Sequence, residues 1–161
     1  MENSIRSNEL FLELSKLLEA IGLKVVDIKK SELRSSIHIV LIITNNDHTV
    51  GVDQCAEAHR LVYPRLTLLE GTREVDLEVS TPGVQRNLKD LYEFELFSGK
   101  RCRLYDNSIS NWVEGIINEL ADDGVELTNA KIDDKKESHP TYKVALHDIK
   151  KAKLAYSWED M

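Results

Sequence analysis

Apolar residues recur along this chain with two periods, and the change from one to the other divides it. Residues 8–21 carry the helical period. Leu10, Leu14, Leu17 and Ile21 fall on one face, with Phe11 and Leu18 beside them, the i, i+3, i+4, i+7 spacing of an amphipathic helix. Ser7 is placed to cap its start, and Gly22 to end it in the left-handed conformation. Residues 23–30 read as a strand, Glu32–Ser36 as a turn, and Ile37–Ile43 as a second strand, apolar on both faces and so central in a sheet. Asn45-Asn46-Asp47-His48 is turn chemistry. A second helix is predicted from Val52-Asp53, with Asp53 as N-cap and with Cys55, Ala58 or His59, Val62 and Leu66 facing inward. Pro64 removes one helical hydrogen bond and opposes the carbonyl of Arg60, at about 3 kcal/mol in a helix interior. The helix is therefore expected to kink or stop near Val62–Tyr63. Residues 73–80 then alternate at period two, with Val75, Leu77 and Val79 against Glu74, Asp76 and Glu78. The order α-β-β-α-β predicts two helices on one face of a three-stranded sheet, with a parallel pair across the β-α-β crossover.

The second half has shorter repeats. Leu88–Phe97 reads as a short helical stretch (Leu88, Leu91, Tyr92, Glu95) closed by Gly99. Strands are predicted at Arg101–Tyr105, Trp112–Leu120, Gly124–Thr128, Tyr142–Leu146 and Ala152–Tyr156, with a hairpin turn at Asp122-Asp123-Gly124. Residues 129–141 are polar and mixed in charge, and read as a mobile loop. His147-Asp148-Ile149-Lys150 reads as one helical turn. Five short strands in succession predict a small closed or partly open barrel, which removes exposed sheet edges. The fold class is α+β. Its divisions are an α/β domain over residues 1–87, a helical linker over 88–98 and a barrel domain over 99–161.

Between the two patterns lies Ser80-Thr81-Pro82-Gly83, followed by Arg86. Proline presets φ and glycine accepts positive φ, so a tight turn is expected at the exit from the third strand. The hydroxyls of Ser80 and Thr81 could cap that turn on backbone groups. They lack a G-x-S-x-G elbow that would make either a nucleophile. Arg86 has two readings: a bridge to a carboxylate across the junction, or a bidentate donor to a phosphate or acidic partner group.

Charge narrows the function. The chain has 161 residues, 21 basic and 28 acidic, for a net charge of −7. Proteins that bind bare duplex through many phosphates are usually basic. A basic protein partner, or nucleic acid at one local patch, suits this balance better. Such a patch is available: Lys100, Arg101 and Arg103 begin the predicted barrel, and Lys150, Lys151 and Lys153 end it. First and last strands of small barrels are often neighbours, so the two runs can merge. An ordinary solvated edge blunted by lysines would look the same.

The sequence offers no cofactor or metal motif. Its seven glycines are too scattered for a dinucleotide fingerprint, a P-loop or a GxxG clamp. Cys55 and His59, four apart, could pair a thiolate with an imidazole or form half a metal site. A buried cysteine beside a surface histidine is the plainer reading. Two distant cysteines and a start without a basic-then-apolar leader suit a reducing, cytoplasmic setting. No apolar run is long enough to span a bilayer.

The element order, the segment Leu77-Glu78-Val79-Ser80-Thr81-Pro82-Gly83 with Arg86, the Val52-Asp53-x-Cys55 helix start and Gly99-Lys100 before the barrel together resemble the RimP family of ribosome maturation factors. The resemblance covers nearly the whole chain. It implies an SH3-like (Sm-like) barrel behind the α/β domain. It also implies a non-catalytic, monomeric factor that binds the free 30S subunit, contacting a basic small-subunit protein and 16S rRNA. The family usually continues Pro-Gly-Leu-Asp-Arg-Pro-Leu, whereas this chain has Val84-Gln85-Arg86-Asn87-Leu88 after Pro82-Gly83. The acidic position and the second proline are absent. An Sm-like RNA-binding regulator acting through the barrel is the alternative. For it, Tyr105, Trp112, Tyr142 and Tyr156 are candidate base-stacking residues.

Overall fold

The structure, a computed structural model, describes residues 8–121 and 123–155, Ala121 by its backbone alone. The chain divides into two compact units at the Pro82–Gly83 bond. The first contains α1 (Glu9–Glu19), β1 (Lys24–Glu32), β2 (Ser36–Thr44), α2 (Val52–Glu70) and β3 (Glu74–Ser80). The sheet order is β1-β2-β3, antiparallel then parallel, so β2 is central as its apolar run predicts. Ile37, Ile39, Leu41 and Ile43 are buried on it. Its second face is not fully buried: Ser36, His38 and Val40 are only half-buried. His38 lies between acidic side chains of β3, with Nδ1 2.9 Å from Asp76 and Nε2 3.7 Å from Glu78.

Both helix starts differ from expectation. Asn8 caps α1, its side chain accepting from the backbone N–H of Leu10 and Phe11 at 2.9 and 3.2 Å. Ser7 lies outside the described residues. Gly51, not Asp53, is the N-cap of α2, and Gln54 accepts from the Gly51 N–H at 2.9 Å. The α1 stripe is centred on Phe11, Leu14 and Leu18, with Leu10, Leu17 and Ile21 half-buried beside it. Gly22 does adopt φ +75°.

The helix also does not stop at Pro64; α2 runs on to Glu70. Pro64 and Arg60 both sit on the exposed side, so water can solvate the carbonyl that loses its partner. The inward stripe Ala58, Val62 and Leu66 is fully buried. Burying two branched side chains contributes about 3–6 kcal/mol, enough to offset an interrupted but hydrated turn. Arg65 of α2 pairs with Glu13 of α1, which sets the helices side by side.

The second unit contains α3 (Leu91–Leu96), β4 (Arg101–Asp106), β5 (Asn111–Ala121), β6 (Gly124–Ile132), β7 (Ser138–Ala145) and β8 (Ile149–Leu154), with a 3-10 turn at Leu146–Asp148. All five strands are antiparallel neighbours in the order β7-β6-β5-β4-β8. First and last strands do pair. The sheet is strongly curled: Tyr142 on β7 donates to Asp106 on β4 at 2.7 Å, although two strands separate them in the order. Asp106 is 1% exposed and is further satisfied by the N–H and hydroxyl of Ser108. Burial and this carboxylate push the Tyr142 phenol well above its ordinary range.

Residues 129–141 are mostly strand rather than loop. β6 continues to Ile132 and β7 begins at Ser138, with Ala130 opposite His139 and Lys131 opposite Ser138. Asn129, at φ +51°, lies where the register of β6 against β5 shifts. Pro140 is tolerated because β7 is a sheet edge. The helix predicted over Leu88–Phe97 is shorter, Leu91–Leu96, because residues 86–88 are extended beside β8. Leu88 donates to Ala152 and Leu154 donates to Arg86, both at 2.8 Å. Asp122 and Tyr156 of the predicted turn and last strand lie outside the described residues.

Candidate functional site

The junction segment begins where β3 ends. Ser80 is half-buried and Thr81 exposed. Neither hydroxyl makes a hydrogen bond among the described residues, so they do not cap the turn. The turn lies further on, closed by the Arg86 N–H donating to the Gly83 carbonyl at 3.1 Å. Gly83 is not among the positive-φ residues, and a Cβ built there meets nothing within 4 Å. Its glycine character is therefore not demanded by local geometry. Gly83→Ala is expected to leave stability within about 0.5 kcal/mol of the parent, or to raise it slightly by restricting the unfolded chain. Urea denaturation would check this, and a loss above about 2 kcal/mol would contradict it.

Arg86 points into the second unit. Its side chain is 8% exposed, and Nε donates to Glu93 Oε1 at 2.5 Å. Glu93, on α3 and 2% exposed, also accepts from the Lys89 N–H at 2.8 Å. Burial pushes the Glu93 carboxyl up, and the Arg86 guanidinium and the Lys89 N–H pull it back only in part. The carboxylate reading of Arg86 thus has a partner seven residues away, in its own unit. A guanidinium this enclosed is not presented to a solvent phosphate. The sequence did contain a signal for Glu93: Asp90-x-x-Glu93 has capping-box spacing. Asp90 caps α3 by accepting from the Glu93 N–H at 3.0 Å.

The basic residues converge unevenly. Pairing of β4 with β8 sets Lys153 opposite Arg103 and Lys151 opposite Tyr105. The register shifts between Tyr105 and Asp106, and this one-residue bulge leaves Lys150 and Lys151 both exposed. Lys150 Nζ stands 5.9 Å from the Tyr105 ring centre. On the other side of β4, Trp112 faces Tyr105 and Glu114 faces Arg103. The two rings meet edge to face at 5.5 Å. Arg103 is committed to its surroundings. Its guanidinium lies 5.0 Å from the Trp112 ring centre and donates both Nη groups to Asp133. Those bonds hold the Asp133 carboxyl below the usual carboxylate range. Arg101 lies one rung further along β4, opposite Ile116, and Lys100 is exposed just before the strand. Lys100 faces no residue of β8. What the charge run alone did not reveal is that two aromatic rings lie among these cations, and that Asp133 anchors one of them.

The pairing of Cys55 with His59 gains no chemistry. Burial pushes the Cys55 thiol up, the wrong direction for a nucleophilic thiolate, while His59 stacks on Tyr63 at 5.5 Å. Cys102 is buried and its thiol is pushed up to about 12. Among the described residues no group of three or more His, Cys, Asp or Glu could hold a metal ion. No helix among them is long and apolar enough to cross a membrane.

Residues 13–85 match the family model of the RimP N-terminal domain. Relatives named ribosome maturation factor RimP align over most of the chain. That of Borrelia hermsii is 28% identical over 158 residues, covering 96% of this chain and 100% of its own. That of Borrelia garinii subsp. bavariensis is 27% identical over 152 residues, covering 92% and 95%. Among solved structures, an SmAP (LSm) protein from Methanococcus vannielii covers 40% of this chain and 92% of its own at 21% identity and a TM-score of 0.36. With a matched N-terminal domain and relatives that align over most of its length, this chain is similar to the ribosome maturation factors named RimP.

Proposed function

We propose that this protein is a non-catalytic ribosome maturation factor that binds the free 30S subunit in the cytoplasm. It would meet a basic small-subunit protein through its acidic surface and 16S rRNA through its local basic patch. Similarity to the ribosome maturation factors named RimP carries the reading. The net charge of −7 supports it, because complementarity to a basic protein steers encounter and excludes wrong partners. The lysines on β8 supply a local patch of the opposite sign. The mechanism is thermodynamic: binding favours one state of the maturing particle by its differential affinity for that state.

Sucrose-gradient fractionation tests the reading. The protein is expected with free 30S particles and not with 70S ribosomes, and equal occupancy of both, or of neither, would count against it. The double variant Arg101→Glu/Lys151→Glu is expected to weaken particle binding about tenfold or more while its unfolding transition stays in place. Unchanged binding at physiological salt would remove the basic patch from the mechanism.

A further inference from the structure

We infer that the outer face of β4, β5 and β8 is a stacking site for unpaired RNA bases, with Tyr105 and Trp112 as the platform and Lys150, Lys151 and Lys153 as the phosphate clamp. This rests on the ribosomal reading only for the biological source of the RNA; the site itself is argued from geometry.

Three features converge. Tyr105 and Trp112 are directly opposed on adjacent strands and only half-buried. Aromatic side chains of this size ordinarily spend their area in a core, and here the core-facing positions of the same strands are taken by Cys102, Leu104 and Val113. Next, the bulge in β8 turns two consecutive lysines outward beside Tyr105, and Lys153 follows on the next rung. Neighbouring strands are about 4.8 Å apart and alternate residues about 6.8 Å apart. The cations therefore border the rings at the distance of a nucleotide's own phosphate. Last, Arg103 does not add to the clamp. Asp133 holds it against Trp112, which fixes the ring's position before any ligand arrives.

Local charge selects the occupant. Glu114 and Asp133 offset Arg103, while Lys150, Lys151 and Lys153 have no carboxylate partner among the described residues. The surplus is positive in a protein that is acidic overall, so the occupant is an anion with flat apolar faces. Single-stranded RNA supplies both along one chain. Duplex RNA hides its base faces in its own stack. An acidic peptide has the charge without the faces.

The test uses the full chain with Trp158→Phe, leaving Trp112 as the one remaining tryptophan of two. A short oligouridylate is titrated in and Trp112 fluorescence is followed. Binding with quenching is expected. Tyr105→Leu should weaken it about tenfold, the loss of one stacked base. Lys150→Glu/Lys151→Glu, at exposed positions that leave the core untouched, should weaken it at least as much. It should also lower the slope of log affinity against log salt by about one to one and a half. Three results would each overturn the inference: no binding at near-physiological salt, equal binding of an RNA duplex, or equal quenching by a polyglutamate peptide. Co-sedimentation with 30S without oligouridylate binding would sink this site and leave the ribosomal reading standing. Oligouridylate binding without 30S association would do the reverse.

Discussion

Glu93→Ala is expected to cost the second unit about 3–5 kcal/mol, the loss seen when one member of a buried ion pair is removed. The substitution takes away the carboxylate that faces the 8%-exposed Arg86 side chain, together with the acceptor for the Lys89 N–H. Domain stabilities are about 5–15 kcal/mol, so this loss is a large share of the total. Urea denaturation followed by tryptophan fluorescence measures it. Replacing both partners, with Arg86→Met and Glu93→Leu together, should recover most of the loss. The upward push of burial on the Glu93 carboxyl says why: the ionised pair is held in the interior at a desolvation cost that apolar side chains would not incur. A single-variant loss below about 1 kcal/mol would show that the pair does not stabilise this unit.

Gly124→Ala is expected to be as damaging for a different reason. A Cβ at Gly124 would fall 2.3 Å from the Val144 carbonyl oxygen and 3.1 Å from the Ala145 Cα. These are backbone atoms of β7, opposite it in the ladder, so no side chain can swing away. The first rung between β6 and β7 must open, at about 3 kcal/mol, the upper range for overpacking. A fall in the urea midpoint with an unchanged slope is the expected record. Gly83→Ala is the control, since the same added methyl meets open space there. Equal behaviour of the two variants would refute the packing argument.

Much of this architecture was legible in the sequence. Helical period located α1, the apolar run located the central β2, and Val75, Leu77 and Val79 marked β3. The five later strands followed from short alternations between turn residues. The misreadings share a cause, which is that local rules ignore what lies opposite. Pro64 reads as a stop unless one knows that its face of α2 is exposed. Residues 129–141 read as a loop because an edge strand with solvent on one side need not be apolar. The Asp106–Tyr142 bond spans 36 residues and leaves no local trace. For the candidate site, the lysines and arginines were visible as runs, and their convergence followed from pairing of first and last strands. The division of labour among them was not visible. Asp133, 30 residues beyond Arg103, ties that arginine down, and a one-residue bulge leaves Lys150 and Lys151 both exposed.

The extended segment 86–88 has a mechanical consequence. It runs antiparallel to β8, with Arg86 beside Leu154 and Leu88 beside Ala152, so the chain enters the second unit and completes β8 at the same end of one seam. Tension applied through those two points would load its hydrogen bonds one after another, as a zipper is loaded, and not all at once in shear. The seam should yield at low force while the five-stranded sheet stays intact. A pull through positions 83 and 155 should therefore show a small first extension before the main rupture.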